Sequence, residues 1–123
     1  MEINKITEII IGCAIEVHRQ LGPGLLESAY EECLCYELAK AGLRFERQKP
    51  VPVIYKEIKL DCGYRYDILV ENCVLVELKT VEEFNPIHEA QILTHMKFAE
   101  KNVGLLINFN VTVLKNGLRR YVR

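Results

Sequence analysis

Residues 64–80 read YRYDILVENCVLVELKT, and the order of apolar and charged side chains in this stretch decides the fold. Ile68, Val70, Val74 and Val76 recur at the period of paired strands, with Glu71-Asn72 where the chain must turn. Asp67, Glu77 and Lys79 interrupt this apolar hairpin. A carboxylate among apolar neighbours is costly unless paired or metal-bound, and two carboxylates aimed at one point repel until a cation lies between them. Loop length decides whether they meet. With a two-residue turn, Asp67 faces Val76 and the acids leave opposite faces. With a three-residue loop, Glu71-Asn72-Cys73, Asp67 stands across from Glu77 with Cβ atoms roughly 4.5–5.5 Å apart. We expect the odd loop, because Asn72 tolerates the left-handed backbone it needs, and Glu77 and Lys79, two apart, then share a face with Asp67. On spacing alone, a surface ion pair between Lys79 and a carboxylate is the plainer alternative.

Working outward, the punctuation marks an α/β chain of the mixed α+β kind. Ile3, Ile6, Ile10, Cys13, Val17 and Leu21 recur at helical spacing, so a first helix runs to about Gln20 and stops at Gly22-Pro23-Gly24. A second helix carries Leu26, Ala29, Tyr30, Cys33 and Leu34 on one side and ends near Gly42, which suits a left-handed cap. Strands are expected at about 44–55, 58–70 and 73–81, with Pro50 and Pro52 arguing for an edge or a bulge. Asn85-Pro86 opens a third helix, followed by a short buried strand at Val103–Phe109 and a terminal one at Arg119–Val122.

Composition fits one domain over residues 1–123. Half of the residues are apolar, and a chain of this size buries roughly two-thirds of its unfolded surface, enough for one core without staples. Glu2, Lys5, Glu8 and Glu16 are spread through the apolar start, so it reads as neither signal peptide nor membrane span, and a cytoplasmic protein without a membrane partner is expected. Cysteines 13, 33, 35, 62 and 73 lack metal-finger spacing; Cys33 and Cys35 point about 200° apart on a helix, and the set reads as reduced core thiols. A net charge of −1 excludes a globally basic nucleic-acid binder; Arg44, Arg47, Lys49, Lys56, Lys59 and Arg65 cluster around the strands, read first as a solvated strand face, with a local basic rim that grips phosphates as the alternative.

On the third helix His88, Gln91 and His95 form a polar stripe within about 60° beside Ile92, Met96 and Ala99. The two histidines lie about 10.5 Å apart along the axis, too far to share one ion. For both we expect a solvent-facing position, the alternative being that His88 or His95 joins Gln91 in hydrogen-bonding water or substrate phosphate at the edge of a site. No glycine-rich phosphate loop is present, which argues against a nucleotide triphosphatase.

Residues 22–31, GPGLLESAYE, contain Gly24-x-x-Glu27-x-x-Tyr30. With YRYDILV, VELKT, HEAQILTHMK and GLLINFN, the chain resembles the GxxExxY family along nearly its whole length, a small branch of the PD-(D/E)xK nuclease superfamily; Tyr66 stands where the superfamily motif has proline. The resemblance implies a core of helix, three antiparallel strands, helix and strand, with an extra N-terminal helix. It also implies Asp67 and Glu77 as metal ligands, Lys79 as the catalytic lysine, Glu27 facing the site from its helix, and Gln91 belonging to it. Gly24 permits the sharp turn after Pro23, and Tyr30 is read as core, with its hydroxyl as an alternative orienting group.

The chemistry such a set supports is hydrolysis of a phosphodiester in DNA or RNA. Asp67, Glu77 and Glu27, with the Leu78 carbonyl, would hold Mg²⁺ or Mn²⁺ through hard oxygens, and Lys79 would position water and offset charge on phosphorus. Two other classes compete: an inactive nuclease-fold module binding nucleic acid or a protein partner, and a purely structural ion cluster. The sequence is silent on strandedness, endo or exo cleavage, and oligomeric state, a homodimer included.

Overall fold

The computed structural model describes residues 1–61 and 63–123, so the reading of Cys62 as a reduced thiol lies outside the described residues. Eleven elements follow in order: α1 (Ile3–Leu21), α2 (Glu27–Lys40), β1 (Phe45–Pro50), β2 (Val53–Tyr55), β3 (Ile58–Leu60), β4 (Arg65–Val70), β5 (Val74–Lys79), α3 (Pro86–Ala99), β6 (Val103–Asn108), a 3-10 turn (Leu114–Gly117) and β7 (Leu118–Val122). A five-stranded sheet has the order β1-β4-β5-β6-β7. Only β5 and β6 run parallel within it, and the crossover that a parallel pair requires is α3. The result, among the described residues, is a mixed α+β fold, three helices around a mostly antiparallel sheet.

Alternation along the strands sends apolar side chains to both faces. Val74, Val76 and Leu78 join Ile68 and Val70 under Ile10, Val17, Leu34 and Leu38 of α1 and α2. On the other face Leu69, Leu75 and Leu106 pack against Ile92 and Met96 of α3. Gly104 sets how closely α3 seats, because a Cβ there would meet Met96 Sδ at 2.7 Å and Ile92 Cδ1 at 3.1 Å. Asn85 caps α3 with its side chain on the Ile87 N–H, and His88 Nδ1 accepts from the Asn85 N–H at 3.1 Å. His88 thus stays at the surface, half-exposed, and caps the helix from there.

Two strand expectations need correction. The stretches expected as single strands at 44–55 and 58–70 are each split, and their inner halves pair with each other as a separate β2–β3 sheet. Pro50 and Pro52 donate no N–H, and Gly63 takes φ 76°, so the chain leaves the main sheet after β1 and returns at β4. The Val51 N–H to Tyr64 carbonyl bond, 2.8 Å, ties the base of this arm together. Cys13, Cys33, Cys35 and Cys73 are free thiols; Cys13 and Cys35 lie in the core as expected, whereas Cys33 and Cys73 are only half-buried at its margin. No helix among the described residues is long and apolar enough to cross a membrane.

Candidate functional site

The β4–β5 hairpin pairs Val70 with Val74, Leu69 with Leu75 and Ile68 with Val76, leaving Glu71-Asn72-Cys73 as the loop. Glu71 and Asn72 are both left-handed, at φ 50° and 53°, and the Cys73 N–H donates to the Val70 carbonyl at 3.0 Å. The odd loop is therefore the one adopted, and one further step of this register sets Asp67 across from Glu77. There the ladder stops. β4 stays with β1 as far as Arg65, while β5 stays with β6 as far as Lys79, so the two central strands fork. Within the fork the Leu78 N–H donates to Asp67 Oδ2 at 2.7 Å, a carboxylate standing in for a ladder carbonyl.

Each side of the fork has its own support. Glu77 is only 4 % exposed, and its Oε1 is hydrogen-bonded to His95 Nδ1 on α3. His95 thus belongs to the site, against the solvent-facing position expected for it. Opposite Asp67 on β1, Gln48 breaks the ladder with φ 50°, and its side-chain amide donates to Glu31 Oε1 at 2.7 Å and reaches Asp67 Oδ1 at 3.4 Å. Arg47 holds Glu31 Oε2 through Nη2 at 2.9 Å and Glu32 Oε1 at 2.8 Å. A left-handed glutamine is a costly backbone state that the surrounding bonds maintain. Gln48→Gly keeps that backbone freely, whereas Gln48→Val adds about 1–2 kcal/mol of strain. Urea unfolding should rank the valine variant below the glycine variant by about that amount.

Electrostatics gather the acids. Burial pushes the Asp67 carboxyl above the usual range, the Leu78 N–H opposes this, and the charges of Glu77 and Glu31 push it further up. Partial burial also raises Glu27, followed by the charge of Asp67, with Lys79 pulling the other way. Glu27 sits in the first turn of α2, near enough to the cluster for the charges of Asp67, Lys79, Glu31 and Glu77 to act on it. Lys79 ends β5, and among the described residues it forms no ion pair. Its carbonyl accepts from the Phe109 N–H at 3.0 Å, which fixes the strand end that carries it. Leu78 is paired with Ile107 of β6.

The remaining candidates separate. Gln91 is exposed on α3, one turn before His95, and lines a cleft that His95 shares; it is His95 whose side chain bonds Glu77. Tyr30 is fully buried, its ring stacked on Phe109 with centroids 4.5 Å apart. Its hydroxyl donates to the Gly22 carbonyl at 2.6 Å and accepts from the Leu25 N–H at 3.1 Å, and Gly24 takes φ 103° in the loop so closed. The motif's glycine and tyrosine therefore shape the turn that starts the helix bearing Glu27. The sequence places Arg47 only in the basic cluster around the strands and does not single out Glu31 or Gln48. Glu31, one turn after Glu27, could have been found by helical spacing; Gln48 has no local signal.

No three His, Cys, Asp or Glu side chains among the described residues close into a ready cage for one ion. The donor set nonetheless suits a hard cation: Glu77 bonds His95 through Oε1 alone, and Asp67 is held by the Leu78 N–H on Oδ2 while its Oδ1 has only the long 3.4 Å contact from the Gln48 amide. Mg²⁺ commonly takes one or two carboxylates and completes its shell with water and phosphate oxygens. A family model described as the PD-(D/E)XK nuclease superfamily matches residues 4–121. No curated protein and no solved structure matches the chain.

Proposed function

The chain belongs to the PD-(D/E)XK nuclease superfamily, and from that premise we propose that it is a metal-dependent phosphodiester hydrolase acting on DNA or RNA, of the GxxExxY branch. The observation that carries this reading is the strand fork, where Asp67, one residue beyond the Ile68–Val76 pair, accepts from the Leu78 N–H next to Glu77, and Lys79 follows on the same strand. Asp67 and Glu77, with Glu27 and the Leu78 carbonyl, would hold Mg²⁺ or Mn²⁺. When bound, the ion supplies Lewis-acid polarisation of a phosphoryl oxygen and lowers the pKa of its water.

The protein's own groups do the rest. Lys79, two residues after Glu77, would orient the attacking water and offset the negative charge that builds on the pentacovalent phosphorus. His95 fixes the rotamer of Glu77, and Gln48 with Glu31 restrains Asp67, so the carboxylates are aimed before substrate arrives. The acids crowd one another, and a divalent cation relieves that crowding.

Calorimetric titration of Mg²⁺ and Mn²⁺ tests the reading. Wild type should bind, Asp67→Ala should not, and His95→Ala should bind about 10–100-fold more weakly, the usual cost of losing a ligand's supporting hydrogen bond. Absence of metal binding, together with intact single-stranded and duplex DNA and RNA after incubation at pH 6–9, would leave a non-catalytic module as the better reading.

A further inference from the structure

The β2–β3 arm stands off the main sheet, pairing Val53 with Leu60 and Tyr55 with Ile58. Between the base of this arm and α3 runs a cleft of about 370 Å³, whose apolar lining comes from Val51, Val53, Ile87 and Phe98, with Tyr64 at the arm's base. Tyr64 and Ile87 are 56 % and 58 % exposed at the mouth of this cleft. The α3 wall adds three polar groups, Gln91, Thr94 and His95, and His95 is the residue bonded to Glu77. The cleft therefore opens beside one of the proposed ligand carboxylates.

A second cleft, which shares Val51 with the first, presents Lys49, Lys59 and Arg65 around one acid, Asp61. Lys49 is paired with Glu46 at 2.9 Å and Arg65 donates to the Gln48 carbonyl at 3.0 Å, whereas Lys59 forms no ion pair among the described residues. The base of one arm thus separates an apolar, aromatic-lipped slot from a cationic one. That pairing matches one polymer: a nucleotide strand, with its base in the slot and its phosphates over the cations.

We propose that the cleft between the β2–β3 arm and α3 takes one unstacked nucleobase of a single-stranded nucleic acid, while the backbone passes over Lys49, Lys59 and Arg65. The inference rests on the nuclease reading and deepens it by naming the substrate class. In a duplex the bases are stacked and paired, and entering the slot would require flipping one out. In a single strand the base is free, and stacking on an aromatic ring supplies sequence-tolerant affinity. Gln91, whose amide both donates and accepts, meets the polar edge of the base.

The test uses the full chain with Ca²⁺, which supports binding without much turnover, and labelled 12-nucleotide DNA and RNA strands followed by anisotropy, alone and as duplexes. Single strands should bind about tenfold or more tightly than duplexes, a 2-aminopurine in the strand should change its fluorescence on binding, and Tyr64→Ala should weaken single-strand binding about 5–150-fold. Tyr64 is exposed, so its removal leaves the core intact. Whichever of DNA and RNA binds more tightly identifies the natural strand. Equal binding of single strands and duplexes with a neutral Tyr64→Ala overturns the inference while leaving the nuclease reading in place. Cleavage unaffected by Tyr64→Ala does the same. Neither binding nor cleavage of any nucleic acid overturns both. If sedimentation shows that Tyr64→Ala dissociates a dimer instead, the cleft belongs to a second copy of the chain.

Discussion

Asp67→Asn is expected to cleave nucleic acid at least about 100-fold more slowly than wild type and yet to melt at a higher temperature without metal at pH 7. Both outcomes follow from one carboxylate. Burial holds the Asp67 carboxyl above its ordinary value in the folded protein, and Glu77 and Glu31 add repulsion. A carboxyl raised on folding contributes stability while protonated, below the ordinary carboxylate range, and that contribution is lost as pH climbs through the raised value. At pH 7 the ionised group is therefore a net cost to the metal-free fold. Asparagine keeps an oxygen for the Leu78 N–H and removes the charge. Glu77→Gln and Lys79→Ala should lose cleavage to the same degree, the first by removing a ligand and the second by removing a transition-state cation. Melting curves at pH 4 and pH 7 with and without Mg²⁺, beside a gel assay of cleavage, check both halves. Asp67→Asn that cuts at the wild-type rate would remove Asp67 from the site.

Tyr30→Ala should destabilise the fold by about 3–5 kcal/mol, the range for deleting a buried aromatic side chain. Total stabilities of about 5–15 kcal/mol make that a large share. The loss has two parts. The ring packs flat on Phe109 at 4.5 Å, and the hydroxyl closes the Gly22–Leu25 turn through two hydrogen bonds. Tyr30→Phe isolates the second part and should cost about 1–3 kcal/mol, because it leaves the Gly22 carbonyl and the Leu25 N–H without their partner. Urea unfolding of both variants gives the two figures. If the hydroxyl serves only the turn, Tyr30→Phe keeps cleavage per folded molecule within a few-fold of wild type. A folded Tyr30→Phe that no longer cleaves would show that the hydroxyl acts on substrate.

Much of the fold was legible because its signals are local. Period-two alternation in 68–76, the left-handed tolerance of Asn72, the glycines after α1 and α2 and the Asn85-Pro86 helix start each act within a few residues of where they stand. The hairpin register follows from such signals, and with it the opposition of Asp67 and Glu77. The split of the outer strands was half legible: the prolines at 50 and 52 announced an interruption, but what the freed halves would pair with is a contact between segments, and only the folded chain makes it.

The supporting groups of the candidate site lie beyond that horizon. His95 meets Glu77 across 18 residues and Gln48 meets Asp67 across 19, with α3 and β1 brought to the fork by core packing rather than by anything in their own neighbourhoods. A helical wheel sees His95 as part of a polar stripe, because the stripe does not say which sheet residue the helix will cover. The sequence by itself determined where the chain turns, which positions are apolar, and that Asp67, Glu77 and Lys79 share a hairpin. Tertiary structure alone decided which neutral or paired groups hold those charges in place, since a buried carboxylate is stabilised by partners at hydrogen-bond range and that range is set by packing of distant elements.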